Sequence, residues 1–235
     1  DSARPLAGGQ SLVALMNTRI LQPEVIIDLN HCEGVDGIEQ ETDGALRFSA
    51  MVRQAAALSS HAVRSRCQLL VTSLAHVGGT ANRNRGTICG SLAHADPLAE
   101  LPCVAIALDA MFTINGPRGQ RRVTADAFFR GALSTAIDAD ELLETVSFPD
   151  APEGTRAAFV EVGRNRRHGF ALAGAAVQLQ LDADGVSRSV RIALMGLGEM
   201  PVRWLEGERL LTGHRLTLEL IADASRNWDT DIEIR

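Results

Sequence analysis

The sequence predicts an α+β fold that is divided into two domains. Apolar residues at helical spacing recur in the first 110 residues and predict several helices. Alternating apolar residues at 177–181 and 190–194 predict antiparallel strands in the second half. A polar stretch with Pro and Gly, residues 150–155, separates the two patterns. We therefore expect one domain over residues 1–150 and a smaller domain over residues 151–235.

The first elements follow from apolar spacing and turn residues. Apolar residues after position 11 recur at helical spacing and predict a helix that ends before Pro23. Residues 25–29 are almost entirely apolar and predict a buried strand. Residues 37–41 and 45–49 flank a Thr-Asp-Gly turn, so we expect a hairpin there.

The middle of the chain alternates between helical patterns and a long polar segment. Residues 51–58 and 61–70 predict helices, whereas residues 78–95 are rich in Gly, Asn, Arg, Ser and Thr and predict a long ordered loop. Asp96 and Pro97 then predict the start of another helix. Strands are expected at 111–114, 120–123 and 142–148, and short helices at 205–211 and 216–224.

Composition and charge exclude several classes of function. The net charge of −6 argues against a nucleic-acid-binding protein, because such proteins depend on basic contacts to phosphate. We expect no transmembrane segment, because no apolar run is long enough to cross a bilayer, and no N-terminal signal is visible. The four cysteines lack CxxC spacing and histidine partners, which predicts reduced thiols, no metal site and a cytoplasmic location.

Two glycine loops carry most of the functional information. The first is Ala-Gly-Gly-Gln-Ser at residues 7–11, and the second is Gly-Thr-Ile-Cys-Gly-Ser at residues 86–91. Glycine permits backbone N–H groups to converge on an anion, and a helix that follows adds its positive end. Two such loops favour a ligand with two adjacent phosphates. Plain turns or helix caps fit the spacing equally well.

Each loop contains candidate hydrogen-bond donors for one phosphate. We expect the amides of Gly9, Gln10 and Ser11 to contact one phosphate, and those of Thr87, Gly90 and Ser91 the other. The loops lack the lysine of a GxxxxGK[ST] motif and the GxGxxG pattern of a Rossmann site. The site therefore differs from both common nucleotide-binding motifs.

The extended motifs resemble a known family. LAGGQSLVALMNTRILQPEVIIDLN and NRNRGTICGSLAHADPLAELPCVAIALDA are similar to the FAD-binding medium subunit of molybdenum hydroxylases, the carbon monoxide, nicotine and xanthine dehydrogenase type enzymes. The likeness extends to residues 141–149 and 196–203. It implies an FAD-binding domain of the vanillyl-alcohol-oxidase (PCMH) type, followed by a smaller C-terminal α/β domain of antiparallel strands and helices.

The resemblance also implies a set of cofactor-binding residues and no catalytic acid or base. The FAD pyrophosphate would lie between the two glycine loops, Glu100 near the flavin nucleotide, and two apolar side chains against the cofactor. The implied residues are Leu6, Ala7, Gly8, Gly9, Gln10, Ser11, Leu12, Val77, Thr87, Ile88, Cys89, Gly90, Ser91, Glu100 and Leu143. His94 lies between the second loop and the next helix, where a cofactor contact and a structural role are both open.

Several departures from the family pattern bear on whether FAD is retained. Cys89 replaces the usual glycine and adds a side chain near the phosphate, which predicts strain if that position needs a positive φ. The family's lysine near residues 161–162 and aspartate at Gly169 are absent, and a basic segment at 164–168 lies between them. We also expect a strand and helix before the first loop, and a helical region after residue 235, to complete the family pattern.

The resemblance implies a role in electron transfer within an oxidoreductase complex. A large molybdopterin subunit would hydroxylate the organic substrate, and a small subunit with two 2Fe–2S clusters would pass electrons to the FAD on this chain. The complex would be a dimer of heterotrimers in the cytoplasm, free or membrane-associated through its partners. Two alternatives stay open: a stand-alone flavin oxidoreductase, and a structural subunit that has lost FAD.

Overall fold

The computed structural model describes residues 3–163 and 171–227. The basic segment at 164–168 and Gly169 lie outside these residues. No helix in the described part is both long and apolar enough to cross a membrane. Within the same residues, no group of three or more His, Cys, Asp or Glu side chains is arranged to hold a metal ion.

The first part of the chain begins with short elements and continues with a row of helices. Its elements are β1 (Ala3–Leu6), α1 (Leu12–Asn17), β2 (Val25–Asp28), β3 (Ile38–Gln40), β4 (Leu46–Ser49), α2 (Gln54–Ser59), α3 (His61–Arg66), α4 (Gln68–Leu74), α5 (Thr80–Arg85), α6 (Ile88–His94) and α7 (Glu100–Ala107). 

The rest of the described chain consists mainly of strands. These elements are β5 (Met111–Gly116), β6 (Gly119–Thr124), α8 (Ala125–Phe128), β7 (Phe129–Gly131), β8 (Ser134–Thr135), β9 (Leu142–Phe148), β10 (Thr155–Gly163), β11 (Ala171–Leu181), β12 (Ser187–Met195), β13 (Val202–Arg203), α9 (Leu205–Leu211) and α10 (Leu218–Ala224), with a final 3-10 turn at Ser225–Asn227. The predicted α+β class is confirmed, because antiparallel sheets and helices occur in separate blocks.

A five-stranded antiparallel sheet organises the first part. Its strand order is β3-β4-β9-β5-β6, so the late strand β9 lies between β4 and β5. The predicted hairpin is present, with Ile38 opposite Phe48, and β9 has the bounds predicted from the sequence. Phe48, Phe112 and Phe148 are fully buried and form the core with the helices.

The first two strands form a separate parallel pair, β1 with β2. The strand predicted at 25–29 is present, but the prediction that it is buried is wrong. Val25 and Ile27 keep about half of their surface exposed (52% and 51%), because β2 pairs only with β1 and no other described element covers its face. This pair positions the loop that follows β1.

The prediction of a long loop at residues 78–95 is also wrong in part. The structure places two short helices there, α5 and α6, joined by a turn at Gly86. Thr87 caps the start of helix α6, and the C-cap residue after its end, Ala95, has a left-handed backbone (φ +52°). Few apolar residues are available in α5, so its helical period is not visible in the sequence.

A four-stranded antiparallel sheet, β10-β11-β12-β13, forms the second part. One face carries Phe159, Ala176 and Met195 into the main core against α4 and α7. The other face packs against α9 and α10 around Ile192 and Trp204. The predicted helices near the end of the chain are thus present and cover this face of the sheet.

Candidate functional site

The first glycine loop connects β1 to α1. Gly9 has φ of +73°, a conformation that favours glycine. Ser11 stands at the helix start, and its side chain makes no capping hydrogen bond. In the part of the chain that the structure describes, the amides of Gly9, Gln10 and Ser11 donate to no protein acceptor. These donors and the Ser11 hydroxyl therefore remain available to an anion.

Gly8 packs against the backbone of Arg85 and Gly86, where the second glycine loop begins. A Cβ added at Gly8 would lie 2.8 Å from Gly86 Cα, and closer still to the Arg85 carbonyl oxygen. Real Cβ atoms do not approach backbone this closely. Glycine is needed here because the two segments are in contact.

The second loop is the capped start of α6. Thr87 Oγ1 accepts from the Gly90 amide at 3.0 Å, and the Ser91 amide donates to the Thr87 carbonyl at 3.2 Å. The prediction that the Gly90 and Ser91 amides face a phosphate is therefore wrong, because both are used within the helix. The amides of Thr87 and Cys89 have no protein acceptor among the described residues, so Thr87 stays a candidate donor and Cys89 is a new one.

Cys89 does not occupy the position expected from the sequence. It lies inside α6 with a helical backbone, so the expected strain is absent. Its side chain points inward, with Sγ 3.7 Å from the Phe48 carbonyl oxygen and 3.8 Å from that of Ser49. Burial raises the pKa of the Cys89 thiol to about 12. The thiol is therefore part of the core rather than an addition to the phosphate site.

Both loops line one groove with a volume of about 2150 Å³. Pockets for drug-sized molecules usually measure about 300–1,000 Å³, so this groove has room for a long ligand such as a dinucleotide. Of the predicted site residues, only Leu6 and Ile88 do not line it. Ile88 is fully buried in the core, and Leu6 lies behind Gly9 with its Cδ1 3.4 Å from the Cβ position there. The groove residues are Ala7, Gly8, Gly9, Gln10, Ser11, Leu12, Val77, Thr87, Cys89, Gly90, Ser91, Glu100 and Leu143.

Acidic and imidazole groups line another part of the groove. Burial raises the pKa of Glu100 to about 7, and the neighbouring charges of Glu161 and Asp96 add to the effect. His76 Nδ1 lies 3.5 Å from Glu161 Oε1, and His94 also lines the groove. This part of the groove offers hydrogen-bond acceptors and is suited to ligand hydroxyl or N–H groups.

Four polar residues that were not predicted from the sequence hold the site together. Asn82 donates to Gln10 Oε1 at 2.9 Å and accepts from the Gly79 amide at 3.2 Å. Arg83 donates to the carbonyls of residues 77 and 78 at 2.9 and 2.7 Å. Asn30 and Arg53 bind the two loops from outside the groove. The contacts of Asn30 and Arg53, and that of Asn82 with Gln10, join residues that are distant in sequence, so no local pattern marks them.

Two family models cover nearly the whole chain. Residues 1–151 match the FAD binding domain in molybdopterin dehydrogenase, and residues 157–235 match the CO dehydrogenase flavoprotein C-terminal domain. The chain belongs to this flavoprotein family. It is accordingly an FAD-binding medium subunit of the molybdenum hydroxylase type, and the resemblance stated from the sequence is confirmed.

Named relatives and solved structures agree with this family. The 6-hydroxypseudooxynicotine dehydrogenase complex subunit alpha of Paenarthrobacter nicotinovorans is 37% identical, over 96% of this chain and 75% of the relative. The carbon monoxide dehydrogenase medium chain of Hydrogenophaga pseudoflava is 34% identical, over 96% and 77%. A crystal structure of quinoline 2-oxidoreductase from Pseudomonas putida 86 matches with a TM-score of 0.91 at 33% identity, over 100% of this chain and 80% of that one.

The groove of this flavoprotein fits FAD by its donors and acceptors. Free amides on both loops and the Ser11 hydroxyl suit a pyrophosphate, and the Glu100 carboxyl suits hydroxyl groups. Leu143, which is 7% exposed, and Val77 supply apolar surface on the groove wall. The residues present are therefore chemically consistent with the cofactor that the family binds.

Proposed function

We propose that this chain holds FAD in the groove and relays electrons from a partner subunit to an external acceptor. The proposal is supported mainly by one observation: the two glycine loops line the same long groove and touch each other where Gly8 contacts the Arg85–Gly86 backbone. When bound, FAD supplies the redox chemistry, because a flavin accepts single electrons and delivers one or two. The chain itself supplies binding, orientation and electrostatics, and we assign it no catalytic acid or base.

The residues proposed to hold FAD fall into two groups. The loop at residues 7–12 would bind the pyrophosphate through its amides and the Ser11 hydroxyl, and the second loop through the amides of Thr87 and Cys89. The helix ends that follow the two loops would favour its negative charge. Glu100 would accept hydrogen bonds from hydroxyl groups, while Val77 and Leu143 would pack against the cofactor. Leu6 and Ile88 would act only by supporting the loops, since neither lines the groove.

The partner subunits are proposed from the family. The names of the relatives, a "complex subunit alpha" and "medium chain" proteins, support a multi-subunit enzyme. We place molybdopterin on a large subunit and two 2Fe–2S clusters on a small one, in a cytoplasmic dimer of heterotrimers. Unpaired cysteines suit such a compartment, since Cys32, Cys67, Cys89 and Cys103 are all free thiols. The domain boundary is proposed at residue 150, before β10 begins.

A visible spectrum and a reduction assay test the proposal. The purified protein is expected to show the absorption bands of oxidised flavin. Its flavin should be reduced by the organic substrate only when the molybdopterin and iron–sulfur subunits are present. Reduction without them would instead identify a stand-alone oxidoreductase. Absence of flavin after supplementation with FAD would identify a structural subunit.

A further inference from the structure

Asn30 lies just after β2 and binds the first glycine loop. Its Nδ2 donates to the Ala7 carbonyl at 3.1 Å and to Asp28 Oδ1 at 2.5 Å, and its backbone amide donates to the same Asp28 oxygen at 2.9 Å. These hydrogen bonds lower the pKa of Asp28 and so keep its carboxylate charged. The carboxylate thereby fixes the orientation of the Asn30 amide, with its N–H groups toward the loop.

Arg53 and its two neighbours in sequence bind the start of the second glycine loop, residues 85–88, through both backbone and side chain. The residues on either side of it pair with that segment: the Gln54 amide donates to the Gly86 carbonyl at 2.9 Å, and the Ile88 amide donates to the Val52 carbonyl at 3.0 Å. Arg53 Nη1 donates to the Arg85 carbonyl, which is the group that Gly8 contacts. Arg53 Nη2 donates to Asn30 Oδ1 at 2.6 Å.

These contacts form one continuous path from the Ala7 carbonyl through Asn30 and Arg53 to the Arg85 carbonyl. Neither side chain lines the groove, so neither touches a ligand there. We infer that Asn30 and Arg53 are positioning residues: they clamp the two glycine loops at the spacing that binds the pyrophosphate of a dinucleotide. The inference rests on the proposed function and adds residues that act on the cofactor only through the loops.

The guanidinium group is suited to this task. Its planar fork donates in two fixed directions, to a carbonyl on one side and to an amide oxygen on the other. A lysine at position 53 would keep the charge but lose the fork. The clamp therefore predicts that Arg53→Lys recovers only part of the function lost in Arg53→Met.

The test uses the full chain, freed of nucleotide and titrated with FAD, ADP and riboflavin. Asn30→Asp keeps the acceptor for Arg53, but it removes the donor to Ala7 and Asp28 and adds a negative charge beside Asp28. Arg53→Met removes both donors of the guanidinium. We expect the Kd values for FAD and ADP to rise together by about 10- to 100-fold in each variant, because hydrogen bonds of a charged group are lost. The Kd for riboflavin, which has no pyrophosphate, should stay within about twofold.

Controls separate positioning from general loss of structure. Arg64 also donates to a backbone carbonyl, that of Leu58, at 2.9 Å, but it lies on α3 and joins no loops, so Arg64→Met should leave the Kd values for FAD and ADP unchanged. The double variant should lose no more FAD affinity than the worse single variant, since the clamp acts as one unit.

Two results would overturn the inference while leaving the proposed function intact. One is wild-type FAD affinity in both Asn30→Asp and Arg53→Met. The other is an equal loss of affinity for riboflavin and for ADP. If the unchanged chain binds neither FAD nor ADP, the proposed function itself fails, and the clamp with it.

Discussion

Gly8 lies directly against the backbone of Gly86, so the two glycine loops touch although 78 positions separate these residues in the sequence. A Cβ at Gly8 would lie 2.8 Å from Gly86 Cα, which only backbone movement could relieve. The contact brings two short motifs into one anion site. It also makes the site sensitive to any side chain that pushes the loops apart.

Gly8→Ala is expected to weaken FAD binding at least tenfold and to destabilise the fold by about 1–3 kcal/mol, because the added methyl overpacks the contact. FAD titration and urea unfolding measure the two effects. Gly37→Ala is the matched control. Neither glycine has a positive φ, but at Gly37 the nearest atom would be 3.5 Å from the new Cβ. Normal FAD affinity in Gly8→Ala would contradict the role of this contact.

The glycine loops could be predicted from the sequence, but the reason for each glycine could not. Gly8 is needed for its contact with a remote backbone, and this contact is visible only when β1 and α5 are placed together. Strand β9 was predicted with its bounds because its seven residues are mainly apolar and Pro149 follows. Strand β10 was missed because Pro and Gly just before it indicated a boundary. Arg53 carries no local signal, since its partners are all distant in sequence.

Glu100 is expected to make stability depend on pH. Burial raises the pKa of its carboxyl to about 7 in the folded protein, against 4.5 for the ordinary group. The folded state therefore binds a proton more tightly than the unfolded state. The free energy of unfolding should fall by about 3 kcal/mol as pH rises from about 4.5 to about 7. Above that range the contribution of Glu100 should stay constant.

Glu100→Gln should remove this dependence, because the amide does not titrate. The measurement is the free energy of unfolding of the FAD-free protein between pH 4.5 and pH 8, taken as the difference between wild type and variant. We expect the variant to gain relative stability as pH rises. A difference that does not change with pH would show that Glu100 titrates normally.

Arg203 is expected to hold the second sheet to helix α7. Its guanidinium donates to Asp109 Oδ1 at 2.6 Å, to the Ile106 carbonyl at 3.3 Å and to Glu208 Oε2 at 3.1 Å. The Glu208 side chain is only 12% exposed. Arg203→Met would therefore remove the charged partner of a carboxylate that has little access to solvent. We expect a loss of about 3 kcal/mol in urea unfolding.

Arg188→Met provides the comparison for Arg203. Arg188 pairs with Asp182 at 2.9 Å, but its side chain is 67% exposed. Solvent screens such a pair, so its loss should cost less than about 1 kcal/mol. Equal effects of the two substitutions would contradict the assignment of Arg203 as a link between the two parts.

Cys89→Gly introduces the glycine that the family resemblance predicts at this position, yet we expect it to weaken the protein without improving FAD binding. The structure gives Cys89 a helical backbone and places its thiol against the Phe48 carbonyl, so glycine is not required there. Loss of the side chain leaves a small cavity and loosens α6, which together should cost about 2 kcal/mol in the free energy of unfolding.

Chemical unfolding and FAD titration of Cys89→Gly test this expectation, with Cys89→Ala as the control that keeps the helix propensity. The alanine variant should be the more stable of the two by about 1 kcal/mol, and both should bind FAD as wild type does. Tighter FAD binding in the glycine variant would show that the thiol interferes with the pyrophosphate after all. The buried position of Sγ argues against this, because the thiol lies against the Phe48 carbonyl in the core.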